Sequence, residues 1–202
     1  MKKSTIIFLS SSIIAPLFIY LSIIGLSSSF GIESTLVIRD LAQTCGYPIG
    51  VGLISNLGIL MWSASASITL FSSLSGLVKK REESNLLLLG GILTLILCLD
   101  DFLLLHDKYI GPDFLYITYS TIGIYMLIKF RKIIINIDCL PFIIAVFSLS
   151  LSIIFDRYIQ EIFPENYINI QLFEEGFKFI GIACWMIFWC KASVKSLRLR
   201  NN

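Results

Sequence analysis

Residues 99–109, LDDFLLLHDKY, place Asp100, Asp101, Asp107 and the single histidine of the chain, His106, within eight positions of one another. Carboxylates beside an imidazole can move protons, and with further oxygen donors they can hold a divalent metal. Two later stretches carry similar chemistry. Ser148, Ser152 and Asp156 are spaced i, i+4, i+8, and Glu174, Glu175 and Lys178 precede Gly181 and Trp185. At about 100° per residue, a helix puts Asp100 and Asp107 on one face with Asp101 one step round, and it aligns Glu174, Lys178, Gly181 and Trp185 in one stripe. His106 falls about 120° from Asp100 on a continuous helix. The two therefore meet only where that helix ends or bends, which the following YIGPDF permits.

The surrounding sequence specifies what must position these residues. Of the 202 residues 56% are hydrophobic and 15% charged, with a mean hydropathy of +0.83, which excludes an ordinary soluble domain. Six apolar runs, near 5–29, 49–77, 86–105, 114–130, 140–156 and 171–190, approach the roughly 20 residues of a transmembrane helix. They are too long and too uniformly apolar for the strands of an outer-membrane barrel. The expectation is an all-α, polytopic helical bundle, a single transmembrane domain over 1–202 with about six spans. The first run exceeds the usual apolar core of a signal peptide, so it reads as a retained anchor. Five cysteines show no CxxC pair and support neither a disulfide framework nor a thiolate zinc site.

Lysine and arginine set the orientation. Twelve (Lys2, Lys3, Lys79, Lys80, Arg81, Lys129, Arg131, Lys132, Lys191, Lys195, Arg198 and Arg200) fall on one side, against Arg39, Lys108 and Arg157 on the other. Both termini are then cytoplasmic, and the acids that enter the spans gather in the exoplasmic third of the bilayer. Asn56, Ser63 and Ser67 form a further polar stripe, and Tyr116, Tyr119, Ser120 and Gly123 another. Polar faces in lipid turn inward, so a shared, outward-opening cavity is expected. Its candidate metal ligands are Asp100, His106 and Asp156, for one divalent Zn, Mn or Fe ion. Asp101, Glu174 and Lys178 are the candidate catalytic residues, with Lys178 as an anchor for a carboxylate or phosphate. Asn56, Asp107, Tyr119, Ser152 and Glu175 complete the lining.

Each has a structural counterpart reading. Glu174 and Glu175 suit a helix N-terminus; Trp and Tyr near span ends suit an interfacial belt; Gly90-Gly91 reads as a packing notch.

The succession GVGLISNLGILMW, LDDFLLLHD, SLSIIFDRY and FEEGFKFIGIACW resembles that of uncharacterised bacterial multispan proteins, over residues 48 to 190. It implies the bacterial inner (plasma) membrane and groups these residues without naming a reaction. Ser55-Asn56 and Leu99-Asp100-Asp101 are also similar to the SN and LDE motifs of alkaline ceramidase-like membrane hydrolases. That family holds zinc with three histidines. Here Leu89 stands at the first of these positions and KFIGIACW contains none, so the resemblance implies a scaffold and not the same zinc site.

Three functions follow as expectations. One is a metal-assisted hydrolase or transferase acting on a membrane lipid. Another is a proton- or cation-coupled carrier or ion-binding module, and the third a non-catalytic subunit of a membrane complex. The net charge of +2 is spread as the topology requires, which argues for membrane lipids as partners and against nucleic acid.

Overall fold

The computed structural model describes residues 3–38, 44–48 and 50–198; the side chains of residues 3–13, 15, 34, 35, 107 and 198 lie outside the described set. The chain is read from its sequence as one domain, whereas its contacts group it into two compact units, Met1–Val51 and Gly52–Asn202. In the first unit, α1 (Lys3–Ser29) carries Pro16 within it. Gly31, at φ 71°, turns the chain toward the short α2 (Ser34–Ile38).

In the second unit α3 (Leu53–Leu74) runs to a turn at Gly76, and α4 (Arg81–Leu103) returns, with Glu82 and Glu83 in its first turn where the helix dipole favours acids. Leu104 ends α4 in the left-handed conformation, φ 53° and ψ 45°, and α5 (Leu105–Lys108) follows at once. Then come α6 (Pro112–Ile154), opened by Pro112 in its first turn, and α7 (Tyr167–Arg198). A π-helical turn at Phe155–Ile159, an α turn at Gln160–Ile162 and a 3-10 turn at Pro164–Asn166 join them.

The runs 114–130 and 140–156 are the two arms of α6. Its 43 residues would extend about 65 Å if straight, twice a hydrocarbon core. The helix breaks at Asp138, whose backbone is extended (φ 170°, ψ 102°). There Asp138 Oδ1 accepts from the Leu140 N–H at 3.3 Å, as an N-cap does, and Pro141 sits in the first turn of the new arm, where its missing N–H costs nothing. Lys191 Nζ bonds Asp138 Oδ2 at 2.6 Å and Lys195 donates to the Asn136 carbonyl, so α7 fastens this corner.

Four helical stretches, Leu53–Leu74, Arg81–Leu103, Pro112–Ile162 and Pro164–Leu197, are long and apolar enough to cross a membrane. Large apolar side chains cover their outer faces, among them Phe71, Leu74, Phe114, Ile128 and Phe147, a surface that lipid tolerates and water does not. The interior is aromatic. Trp62, Trp185 and Trp189 are all buried and meet edge to face, Trp62–Trp185 at 6.2 Å and Trp185–Trp189 at 5.6 Å between ring centres. Phe142 and Phe188 extend the stack. None of the three tryptophans is therefore an interfacial anchor. The polar stripe of α3 is also corrected: Asn56, Ser63 and Ser67 are exposed, while Gly58, Trp62, Ser65, Ala66, Thr69 and Ser72 face inward. A serine-rich helix offers two polar stripes, and the bulk of Trp62 selects which is buried.

Glycines set how closely the helices approach. A Cβ on Gly90 would lie 2.0 Å from the Trp189 ring, one on Gly91 2.7 Å from Leu70, and one on Gly181 2.7 Å from Leu149. Gly90→Ala gains about 1 kcal/mol of helix propensity, but the buried indole cannot move aside and overpacking costs about 1–3 kcal/mol. The expected outcome is a lower midpoint of thermal unfolding in detergent, restored in part by Trp189→Leu in the same chain. A raised midpoint in Gly90→Ala, the helix-propensity gain alone, would show that α4 and α7 are not in this contact.

Candidate functional site

Asp100 and Asp101 occupy the last turn of α4, and the way that helix ends decides what they can do. Because Leu104 turns left-handed, the chain doubles back and His106 returns over Asp100. Asp100 Oδ1 accepts both the His106 backbone N–H and ring Nδ1, each at 2.9 Å. A carboxylate only accepts, so the imidazole proton sits on Nδ1 and Nε2 carries the lone pair in the neutral ring. Asp100 is 4% exposed. The bend that the sequence required for this pairing is therefore present, at Leu104.

Asp101 faces the neighbouring helices. Its Oδ2 accepts from Trp62 Nε1 of α3 at 2.9 Å, and its Oδ1 pairs with Lys178 Nζ of α7 at 2.8 Å. The cation expected to await an anionic group is thus already neutralised. Asp156, in the π turn after α6, accepts from the Tyr116 hydroxyl at 3.3 Å. His106 and Tyr116 are also ring neighbours, at 6.1 Å.

These groups line one cavity of about 340 Å³. One end is polar, with Asp100, Asp101, His106, Asp156, Glu174 and Lys178. The walls beyond it are apolar, from Leu93, Leu97, Ile124, Leu127, Phe142, Val146, Leu149 and Ile153, with Trp62 and Trp185. Tyr119, Ser120, Gly123 and Ser152 lie on the same wall. The Tyr119 hydroxyl oxygen is buried and lies against the Asp100 carboxylate.

Not every expected residue is there. Asn56 is exposed on α3, six residues and about 120° from the inward Trp62, and does not line the cavity. Glu175, one helical step from Glu174, turns instead to a small pocket on the other side of Lys178, with Ser55 and Asp101. The Asp107 side chain lies outside the described residues. Among the expected metal ligands, Asp100 and His106 meet each other while Asp156 is bound by Tyr116. No three His, Cys, Asp or Glu side chains form a group able to hold a metal ion among the described residues.

Trp62 was not singled out from the sequence as a site residue. Its signal was a tryptophan set among serines and alanines inside an apolar run, since a buried indole N–H needs an acceptor.

Apolar outer faces, spanning-length helices and a polar cavity between them define a helical membrane protein. A family model described as "Domain of unknown function (DUF8692)" matches residues 12–192, and the chain belongs to that family. No curated protein matches the chain, and no solved structure does.

The Asp101–Lys178 pair generates a stability prediction. Removing one partner leaves the other charge uncompensated inside the bundle, at a cost of about 3 kcal/mol. Lys178→Met is expected to lower the unfolding midpoint in detergent sharply, and Lys178→Met with Asp101→Leu to lower it less. Equal losses in the single and double variants would mean that the pair carries no coupling.

Proposed function

We propose that the chain is a membrane-embedded hydrolase or transferase that acts on a lipid, with Asp100 and His106 as its acid–base pair. The observation that carries the reading is a carboxylate-oriented imidazole at the polar end of an apolar-walled cavity. An acyl or prenyl chain fits the walls, and the head group then lies against the acids and His106. His106 takes the proton from a water or an acceptor hydroxyl as that oxygen attacks the head-group linkage. It returns the proton to the departing oxygen or nitrogen. Asp100 keeps the ring in the required tautomer and stabilises the imidazolium formed in between. Asp101 and Lys178 act as a strut that holds α3, α4 and α7 around the site, and Glu174 shapes the polar end.

A divalent ion would find one imidazole and one carboxylate in the pair, and a third protein ligand is missing among the described residues. We place the reaction on the imidazole because Asp100 already orients its ring, and a Zn, Mn or Fe ion at the same end is the alternative that metal analysis tests.

In the membrane we place six spans, counting α1 and both arms of α6, with both termini in the cytoplasm of a bacterial cell. Two features of the second unit support its cytoplasmic end and the length of α4 as a span. Lys80, Arg81 and Lys132 border one surface with Asn136, and Lys191 and Lys195 bind the adjacent Asp138 corner, so these basic residues gather at one end. Nineteen residues of α4 separate Arg81 from Asp100, a rise of about 29 Å, which matches a hydrocarbon core.

The test is lipid turnover by protein in nanodiscs made from total bacterial lipid, followed by mass spectrometry. Wild type is expected to convert one lipid class, and His106→Ala and Asp100→Asn to lose about 100-fold or more of the rate with folding retained. A lipid profile indistinguishable from empty nanodiscs would contradict the reading. Elemental analysis of the same sample separates the two chemistries: one metal per chain, lost in His106→Ala, would move the activated water from the imidazole to an ion.

A further inference from the structure

The carboxylates of the cavity are not partnered alike. Asp100 has His106 and Asp101 has Lys178 with Trp62. Asp156 has only the neutral Tyr116 hydroxyl, at 3.3 Å, among the described residues. The cation next to it in sequence, Arg157, is turned away and pairs with Asp113 at 3.1 Å. Lys178, the cation on the cavity wall, is therefore committed to Asp101, and Asp156 faces the cavity with no cation bound to it among the described residues. A carboxylate beside lipid and apolar side chains is unfavourable unless a positive charge or a proton joins it.

The neighbours of Asp156 suit a positive charge. Tyr116 and Tyr119 bring aromatic rings to the same wall, and ring faces attract ammonium groups. The Tyr119 hydroxyl, which lies against the Asp100 carboxylate, adds a further polar group to the cavity. Asp156 also sits in a π turn, an irregularity that recurs where helices carry function. An anionic head group would meet an unpaired carboxylate here, with Lys178 and His106 already engaged.

Resting on the reading of the cavity as a lipid site, we infer that its occupant is a cationic amphiphile, an amine or quaternary ammonium on an apolar chain, whose charge is received by Asp156 between Tyr116 and Tyr119. The head group is then held beside Tyr116, the ring neighbour of His106, which brings the linkage to be attacked near the imidazole.

The experiment uses the full chain in a neutral maltoside detergent and three probes of equal chain length: dodecyltrimethylammonium, dodecyl phosphate and uncharged dodecyl glucoside. Native mass spectrometry counts each probe bound per chain over a concentration series. One dodecyltrimethylammonium per chain is expected, bound about ten-fold more tightly than either other probe. Asp156→Asn is expected to remove that preference, and Tyr116→Phe, which keeps the ring, to reduce it less. The wild-type preference is decisive even if a variant fails to fold. Tighter binding of dodecyl phosphate, or equal binding of all three, overturns the inference and leaves a lipid site of another charge. Binding of none overturns both this inference and the lipid cavity. Charge preference without lipid turnover overturns only the enzymatic reading above and sustains this one.

Discussion

The Asp101 carboxylate is the point on which the site depends. Its two oxygens are shared between an indole N–H from α3 and an ammonium from α7, while its own backbone belongs to α4. Three helices thus converge on one side chain. In water such a pair would be replaceable by solvent; within a bundle exposed to lipid the alternatives are an unpaired charge or an unsatisfied donor, and both are costly. The aromatic stack continues from this point, because Trp62, fixed by Asp101, meets Trp185, and Trp185 in turn donates to Thr94 Oγ1 of α4 at 2.8 Å. Small residues then permit the close approach that the stack needs, as Gly90 does beneath Trp189 and Gly181 beside Leu149.

The neighbouring carboxylate uses the same end of α4 differently. Asp100 can bind His106 only because Leu104 ends the helix in a left-handed conformation, which costs a leucine about 1 kcal/mol. Two hydrogen bonds to one buried carboxylate oxygen offset that strain. Adjacent aspartates on one helix, about 100° apart, therefore serve separate tasks: one braces the bundle and the other orients an imidazole toward the cavity.

Much of this was legible in the residues. Apolar runs gave the helices, and the Asp-Asp-His segment marked the cavity's polar end together with Asp156, Glu174 and Lys178. The requirement for a bend before His106 followed from helical angle alone. What sequence patterns left open was partnership. Nothing in the spacing of Lys178 distinguishes local pairing with Glu174 or Glu175 from the observed pairing with Asp101, because interhelical contacts depend on how helices rotate. For the same reason the serine stripes of α3 were ambiguous until Trp62 chose the inward face, and Asn56 went to the other side. The break between the two arms of α6 had a local signal, since an Asp three residues before a Pro reads as the N-cap of a new helix.

Because the chain has a single histidine, the orientation of that imidazole can be observed directly. The measurement is nitrogen-15 NMR of histidine-labelled protein in nanodiscs, for wild type and Asp100→Asn. The account predicts one resonance set with the proton on Nδ1 and its signature strongly shifted by the Asp100 carboxylate, lost in the variant. A ring with its proton on Nε2, or a tautomer mixture insensitive to Asp100→Asn, would contradict the acid–base pair at the centre of the site.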